Sequence, residues 1–347
     1  MTDPPSPWAA RADELQESLA QQFWLPRRQL FRLRTGAPLW PWGRWSYWWQ
    51  AHALDAMVDA YARRPDERLR QRILAHVAGI VRRGHGSAVN DFYDDMGWLA
   101  LALLHLGDVS APAAPQAHEL IGELLPAIQT GASDVCGGGI AWATRHPDFK
   151  NVPATATGAI AAVRRGTTIG DAAVVGWGTS LVEWIHRTLV EDGVVWDGTH
   201  SRADGSCELE RAEYTYTYGL VVGADTLLYG VTGAHAYLDR ARSTAATALS
   251  RMTDPQTGLW RAEGSADGGL FRGILARFLG DLAVETSDVD LADVLRHNAN
   301  AAWLVRDAVG LVGADWTRCR GGRVTLSEHL SAVLLTEQCA RLAVVGT

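Results

Sequence analysis

An all-α protein, an (α/α)6 toroid of about twelve helices, is the fold class predicted by three features of the sequence. Apolar residues recur at three-and-four spacing through most of the chain. Strand-like alternation is hard to find. The breaks between helical segments alternate between short turns and long loops rich in Gly and aromatics, which suits helical hairpins closing into a ring with the long loops gathered at one rim.

The helical period is clear in Leu54, Met57, Val58 and Tyr61, and again in Leu69, Ile73, Leu74, Val77 and Ile80. Breaks marked by Gly, Pro and Asn or Asp clusters place helices at 7–22, 44–63, 66–84, 94–106, 114–130, 152–164, 170–192, 213–231, 234–252, 270–286, 289–307 and 325–343. Arg64-Pro65-Asp66 and Gly230-Val231-Thr232-Gly233 are short connections of the kind that make antiparallel hairpins. The links at 131–151, 192–212 and 253–269 are long, and long loops in compact domains carry function. No shift in composition marks a second domain, so residues 1–347 are expected to form one.

Composition narrows the function. The 347 residues are 47% hydrophobic and 20% charged, which excludes intrinsic disorder and a disulfide-stapled miniprotein. A net charge of −7 argues against a nucleic-acid surface built on phosphate neutralisation. No apolar run reaches the ~18 residues of a membrane helix. The start, Met1 to Trp8, has neither the cationic segment nor the apolar core of a signal peptide, so the chain as written is expected in the cytoplasm, or outside the cell if a leader has been removed ahead of it. Cys136, Cys207, Cys319 and Cys339 are scattered without Cys-x-x-Cys spacing, so reduced thiols are expected and a zinc site is not. The histidines lack a His-Glu-x-x-His arrangement; His52, His105 and His186 fall in helical patterns that suit structural use. No metal and no cofactor is expected.

Tryptophan is over-used, with 15 Trp against 8 Tyr and 6 Phe, and Trp40, Trp42, Trp45, Trp48 and Trp49 cluster together. Such rings form core, or offer flat faces to the C–H surfaces of sugars. Lys150 is the only lysine among many arginines, which singles out a position where a compact ammonium cannot be exchanged for a guanidinium fork.

The most pointed segment is Asn90-Asp91-Phe92-Tyr93-Asp94-Asp95-Met96-Gly97-Trp98, a loop entering the apolar run from Leu99 to Leu104. Asp94 and Asp95 could cap that helix and favour its dipole. One aspartate would do that. Two adjacent ones, diverging from one helix end, can instead hold their carboxyl groups ~5 Å apart, the spacing of retaining glycosidases, which is shorter than the ~6.5 to 9.5 Å of inverting ones. Close carboxylates also split their pKa values, leaving one ionised and one protonated.

The chain resembles the glycoside hydrolase family 76 α-1,6-mannanases, whose hallmark Tyr-Asp-Asp with a following Trp is matched by Tyr93-Asp94-Asp95-Met96-Gly97-Trp98. The similarity continues through Trp48-Trp49-Gln50-Ala51-His52, Gly137-Gly138-Gly139-Ile140 with Trp142, Lys150-Asn151, Val195-Trp196-Asp197-Gly198, Tyr214-Thr215-Tyr216 and Phe271-Arg272-Gly273-Ile274. The resemblance implies an (α/α)6 fold, Asp94 as nucleophile and Asp95 as acid/base. It also implies substrate contacts from Trp49, Gln50, Tyr93, Trp98, Trp142, Lys150, Asp197, Tyr216 and Arg272. The chain departs from the family at Ala141-Trp142-Ala143, where Trp-Trp-Asn is common, and at Thr217-Tyr218, where Asn-Gln is usual.

Each of these positions also has a plainer reading. The Gly137-Gly138-Gly139 run lacks a following Lys-Ser/Thr, so it is no phosphate loop; it either makes a tight turn or lets backbone approach a ligand. Trp142 could stack on a mannose ring or plug the mouth of the barrel. Asp197 reads by itself as a turn residue with Gly198 at positive φ. Tyr216 could donate to the nucleophile or belong to the core, and Arg272 could bind hydroxyls or pair with Asp267. The expected activity is retaining endo-cleavage of α-mannan or manno-oligosaccharides by a monomer. A transglycosylase of the same type, a sugar epimerase on the same fold and a non-catalytic mannan-binding protein are the alternatives.

Overall fold

The computed structural model describes residues 6–36, 45–319 and 321–345. Trp40 and Trp42, and residues 1–5 of the amino-terminal reading, lie outside the described residues. Among those described there are twelve α-helices: α1 (Pro7–Phe23), α2 (Tyr47–Arg63), α3 (Glu67–Arg83), α4 (Tyr93–Val109), α5 (Ala114–Gln129), α6 (Val152–Ile169), α7 (Ala172–Leu189), α8 (Thr215–Thr232), α9 (His235–Met252), α10 (Gly268–Thr286), α11 (Val289–Leu304) and α12 (Leu326–Val345). Each corresponds to a helix expected from the apolar period. No described helix is long and apolar enough to cross a membrane.

The chain divides into two compact units, Met1–Ile80 with Met252–Thr347, and Val81–Arg251. In the first, α12 packs against α10, α1, α11 and α2. It is buried almost throughout, so its polar groups need partners. Glu337 accepts from Arg63 Nε at 2.9 Å, and Arg63 also donates to Asp13 at 2.8 Å. Arg277 of α10 stands 3.0 Å from Asp55. His52, placed among structural histidines from sequence, is buried, and that burial pulls its imidazole down to about 3.

In the second unit α6 is the hub, in contact with α7, α4, α8 and α5. Its run Pro153-Ala154-Thr155-Ala156-Thr157-Gly158-Ala159 is wholly buried, and such small side chains let neighbouring helices approach closely. Asn151 starts the helix by accepting the Ala154 N–H at 3.2 Å, and Gly170 ends it in the left-handed conformation.

The long links hold what the sequence reading missed. Among the described residues there are eight short strands: β1 (Trp24–Leu25), β2 (Leu30–Phe31), β3 (Ala141–Ala143), β4 (His146–Asn151), β5 (Val190–Glu191), β6 (Val194–Val195), β7 (Gly198–Ser201) and β8 (Cys207–Glu210). Four of them form an antiparallel sheet in the order β3-β4-β7-β8. Strands of two to six residues are too brief for period-two alternation to stand out, and the β4–β7 pairing is non-local.

Cysteine chemistry is also corrected. Cys136 and Cys207, expected as reduced thiols, form a disulfide that ties the turn Val135–Gly137 to the first residue of β8. The two lie 71 residues apart, so spacing along the chain carries no trace of the pairing.

Candidate active site

Helix α4 enters from Phe92, an extended residue with no side-chain acceptor to offer as a cap, which leaves Asp94 and Asp95 inside the first turn. Capping is therefore not the task of the pair, although the helix dipole still favours their ionised forms. Asn90, before the helix, turns back to donate from Nδ2 to Asp95 Oδ2 at 3.0 Å while its own carbonyl accepts the Phe92 N–H at 2.8 Å. Asn90 was not singled out from sequence. Its signal is an Asx turn just ahead of an acidic helix start.

The sheet brings the next groups. An isolated bridge pairs Phe92 with Ala143, so β3 lies along the entry to α4, and Trp142 donates from Nε1 to Asp94 Oδ2 at 3.3 Å. The other carboxylate oxygen, Asp94 Oδ1, is buried without a hydrogen-bond partner. Asp197, at the end of the β6 turn and just before β7, is buried and accepts from the Tyr216 hydroxyl at 3.4 Å. Tyr216 stands in the first turn of α8. Four sequence-predicted residues thus form two hydrogen-bonded pairs, Asp94 with Trp142 and Asp197 with Tyr216, near enough for their charges to act on one another, with Asp95 next to Asp94.

Burial dominates their electrostatics. It raises Asp94 to about 7, against the pull of the Trp142 indole, and the nearby Asp197 charge pushes the same way as burial. Asp197 rises to about 6, again by burial, with the Tyr216 hydroxyl opposing. The Tyr216 phenol is driven well above its ordinary range by burial, then by Asp197 and Asp94. Carboxyls pushed up toward neutrality, with a buried and unpartnered oxygen on Asp94, are suited to acid–base and nucleophilic work.

The Asp-Gly reading at Asp197 is corrected by the same geometry. Gly198 is not at positive φ; it opens β7, paired with Asn151 and Glu210. It is glycine because a Cβ there would stand 2.5 Å from the Lys150 carbonyl oxygen and 2.6 Å from the Phe149 ring. The triple-glycine run is likewise a bed for a ring. Cβ atoms at Gly138 and Gly139 would meet Trp184 at 2.8 and 2.6 Å, and Trp184 donates from Nε1 to Cys136 O at 2.9 Å.

The remaining predicted contacts are placed in the interior. Tyr93 is buried, with its ring against Gly131 and its hydroxyl 3.4 Å from Thr130 Oγ1. Trp98 is buried one helical turn after Asp94. In the other unit, Trp49 donates to Asp267 Oδ1 at 2.9 Å, and Gln50 is fully buried, holding β2 by accepting from Phe31 N at 2.8 Å and donating to Phe31 O at 2.9 Å. Arg272 is also buried. It donates to the Trp260 and Ala314 carbonyls and lies 3.6 Å above the Trp316 ring, so it neither pairs with Asp267 nor reaches solvent.

Lys150 resolves the lone-lysine puzzle. Its ammonium is buried and donates to three carbonyls, Ser133 at 2.6 Å, Val135 at 2.7 Å and Gly138 at 2.6 Å, while burial lowers it to about 8. Three convergent carbonyl acceptors suit the three N–H donors of an ammonium and not a planar fork, so Lys150 shapes the 133–138 loop instead of touching a sugar. Lys150→Met is expected to lower stability by about 2–4 kcal/mol in urea denaturation, with Lys150→Arg failing to restore it. A wild-type midpoint for either variant would contradict that role.

Comparison with known proteins extends the picture beyond these side chains. The sequence profile of glycosyl hydrolase family 76 matches residues 8–346. Among solved structures, the GH76A α-1,6-mannanase of Salegentibacter sp. HEL1_6 is 32% identical, superposes with a TM-score of 0.91, and is covered over 99% of its chain by 96% of this one. That enzyme is also known as an inactive variant with two adjacent aspartates replaced, in complex with α-1,6-mannotetrose. A mannan endo-1,6-α-mannosidase of Candida glabrata is 25% identical over 268 residues, 68% of this chain. The chain spans 58% of that relative's length. The all-α (α/α)6 class expected from helical periodicity is thus the class to which this fold belongs.

Proposed function

The chain belongs to glycosyl hydrolase family 76, and from that premise we propose that it cleaves α-1,6-linked mannan internally, with retention of configuration, through a covalent mannosyl-Asp94 intermediate. The observation that carries the reading is the hydrogen-bonded group around the adjacent acids Asp94 and Asp95. In the first half-reaction an Asp94 carboxylate oxygen bonds to C1 as the C1–O6 bond breaks, and the Asp95 carboxyl gives its proton to the departing oxygen. In the second, Asp95 takes a proton from water, whose oxygen displaces Asp94 at C1. Asn90 orients Asp95, Trp142 steadies the Asp94 charge, and Tyr216 with Asp197 offers a donor and an acceptor to sugar hydroxyls.

The nucleophile must be ionised, so the raised Asp94 value has a direct consequence. The acid limb of kcat/KM is expected to rise with pH through about 7. Trp142→Phe removes a donor that favours the carboxylate, and should move that limb to higher pH. An unmoved acid limb, or an effect confined to the alkaline side, would assign Asp94 a different role.

Linear α-1,6-mannan and manno-oligosaccharides of graded length are the substrates to try. Internal cleavage predicts a spread of oligosaccharides early in the reaction and little free mannose. Mannose as the sole early product would contradict endo-action, and no release from any α-1,6-linked substrate would contradict the function.

We also propose that the protein works in an oxidising compartment outside the cytoplasm. The Cys136–Cys207 disulfide supports this, because such links persist in secreted and periplasmic proteins and are rare in the cytosol. It also suits the place where mannan polymers are met. Fractionation of the host with an antibody to the chain tests it, and a wholly cytosolic signal would refute it.

A further inference from the structure

The four-stranded sheet has two faces of different character. Lys150 points inward from β4; its neighbour Phe149, by strand alternation, belongs to the opposite face, where it is half-buried. On that side five rings touch in sequence, His146 joining them at the start of β4, where the register with β3 shifts. Phe92 is 5.3 Å from Trp142 between ring centroids, Trp142 is 5.2 Å from His146 in a stacked pair and 6.3 Å from Phe149, and Phe149 stacks on His200 at 4.4 Å. Phe92 is 39% exposed and His146 is exposed, so the rings are not roofed over as a core would be.

Two features show that this row is built into the sheet. Register places Phe149 directly opposite His200, and Gly198 leaves room for the Phe149 ring. One end of the row is anchored at the chemistry, since Trp142 donates to Asp94. At the other end His200 stands 3.6 Å from Glu210, and Asp91 and Glu208 add exposed carboxylates along the margin. Flat apolar faces with carboxylate acceptors at their edge match a neutral polyol ring, which presents C–H on one face and hydroxyls around its rim.

We propose that this aromatic row is an extended glycan-binding track, on which mannose units beyond those held at the acid pair lie when a long chain is bound. The track rests on the mannan reading of the site, and makes the protein prefer long chains over short oligosaccharides. Its occupant is the same polysaccharide continuing past the acid pair, because the row is continuous with Trp142 and Asp94.

Calorimetric titration of the Asp94→Asn, Asp95→Asn double variant with α-1,6-mannotriose and α-1,6-mannohexaose tests the track. The hexaose is expected to bind about tenfold more tightly, the factor that one good ring stack supplies. Adding His200→Ala or Phe149→Leu should bring the two affinities within about threefold of each other. His146→Ala, which removes an exposed ring, repeats the test should either of those variants melt early. A ratio near one in the parent, or a ratio that survives loss of the rings, overturns the track while leaving the site reading in place. Binding of neither sugar overturns the site reading, and the track with it.

Discussion

Asp94→Asn should reduce turnover of α-1,6-mannan by about ten-thousandfold or more, because it removes the atom that forms the glycosyl bond. The fold should be unaffected. Asp94 has one buried, unpartnered oxygen and already holds its proton more tightly than an ordinary carboxyl, so a neutral amide of the same shape costs little. Asp95→Asn should cost about a hundred- to ten-thousandfold on natural mannan, the range of a general acid, yet far less on an aryl α-mannoside whose leaving group needs no proton. Kinetics on both substrates, beside melting curves, separate the two roles. Equal losses on both substrates for Asp95→Asn would take away its acid role, and wild-type turnover by either variant would remove the pair from the chemistry.

Replacing Cys136 and Cys207 together by Ser should lower stability by about 4 kcal/mol on the chain-entropy view of a loop this long, a fall in melting temperature of about 5 °C. The disulfide joins the loop that Lys150 organises to the sheet that follows Asp197, so the loss falls on the segment presenting Trp142 and Asp197. Reduction of the wild type should reproduce it. Denaturation with and without reductant is the measurement, and coincident midpoints would mean that the link contributes nothing.

The helices could be read because each writes its three-and-four period over sixteen to twenty residues, enough repeats for the pattern to show. The acid pair could be read because two aspartates in one helical turn exceed what capping needs. The sheet could not. Its strands are short and pair across a helix hairpin, and with it went the disulfide and the ring row on its outer face. Lys150 and Gln50 show the other limit. Both stood out as polar residues in motif positions, and in both the fold turns the side chain inward to backbone groups that no motif reveals. Gly198 was noticed as half of an Asp-Gly pair, whereas its reason is a carbonyl and a phenyl ring from a strand elsewhere in the chain.

Proton NMR of the first product formed from an α-1,6-manno-oligosaccharide, recorded faster than mutarotation, measures the chemistry assigned to Asp94 and Asp95 most directly. A double displacement through Asp94 predicts that the α-anomer appears first and the β-anomer only by later equilibration. Initial release of the β-anomer would mean a single displacement by water, with no mannosyl-Asp94 bond at any stage.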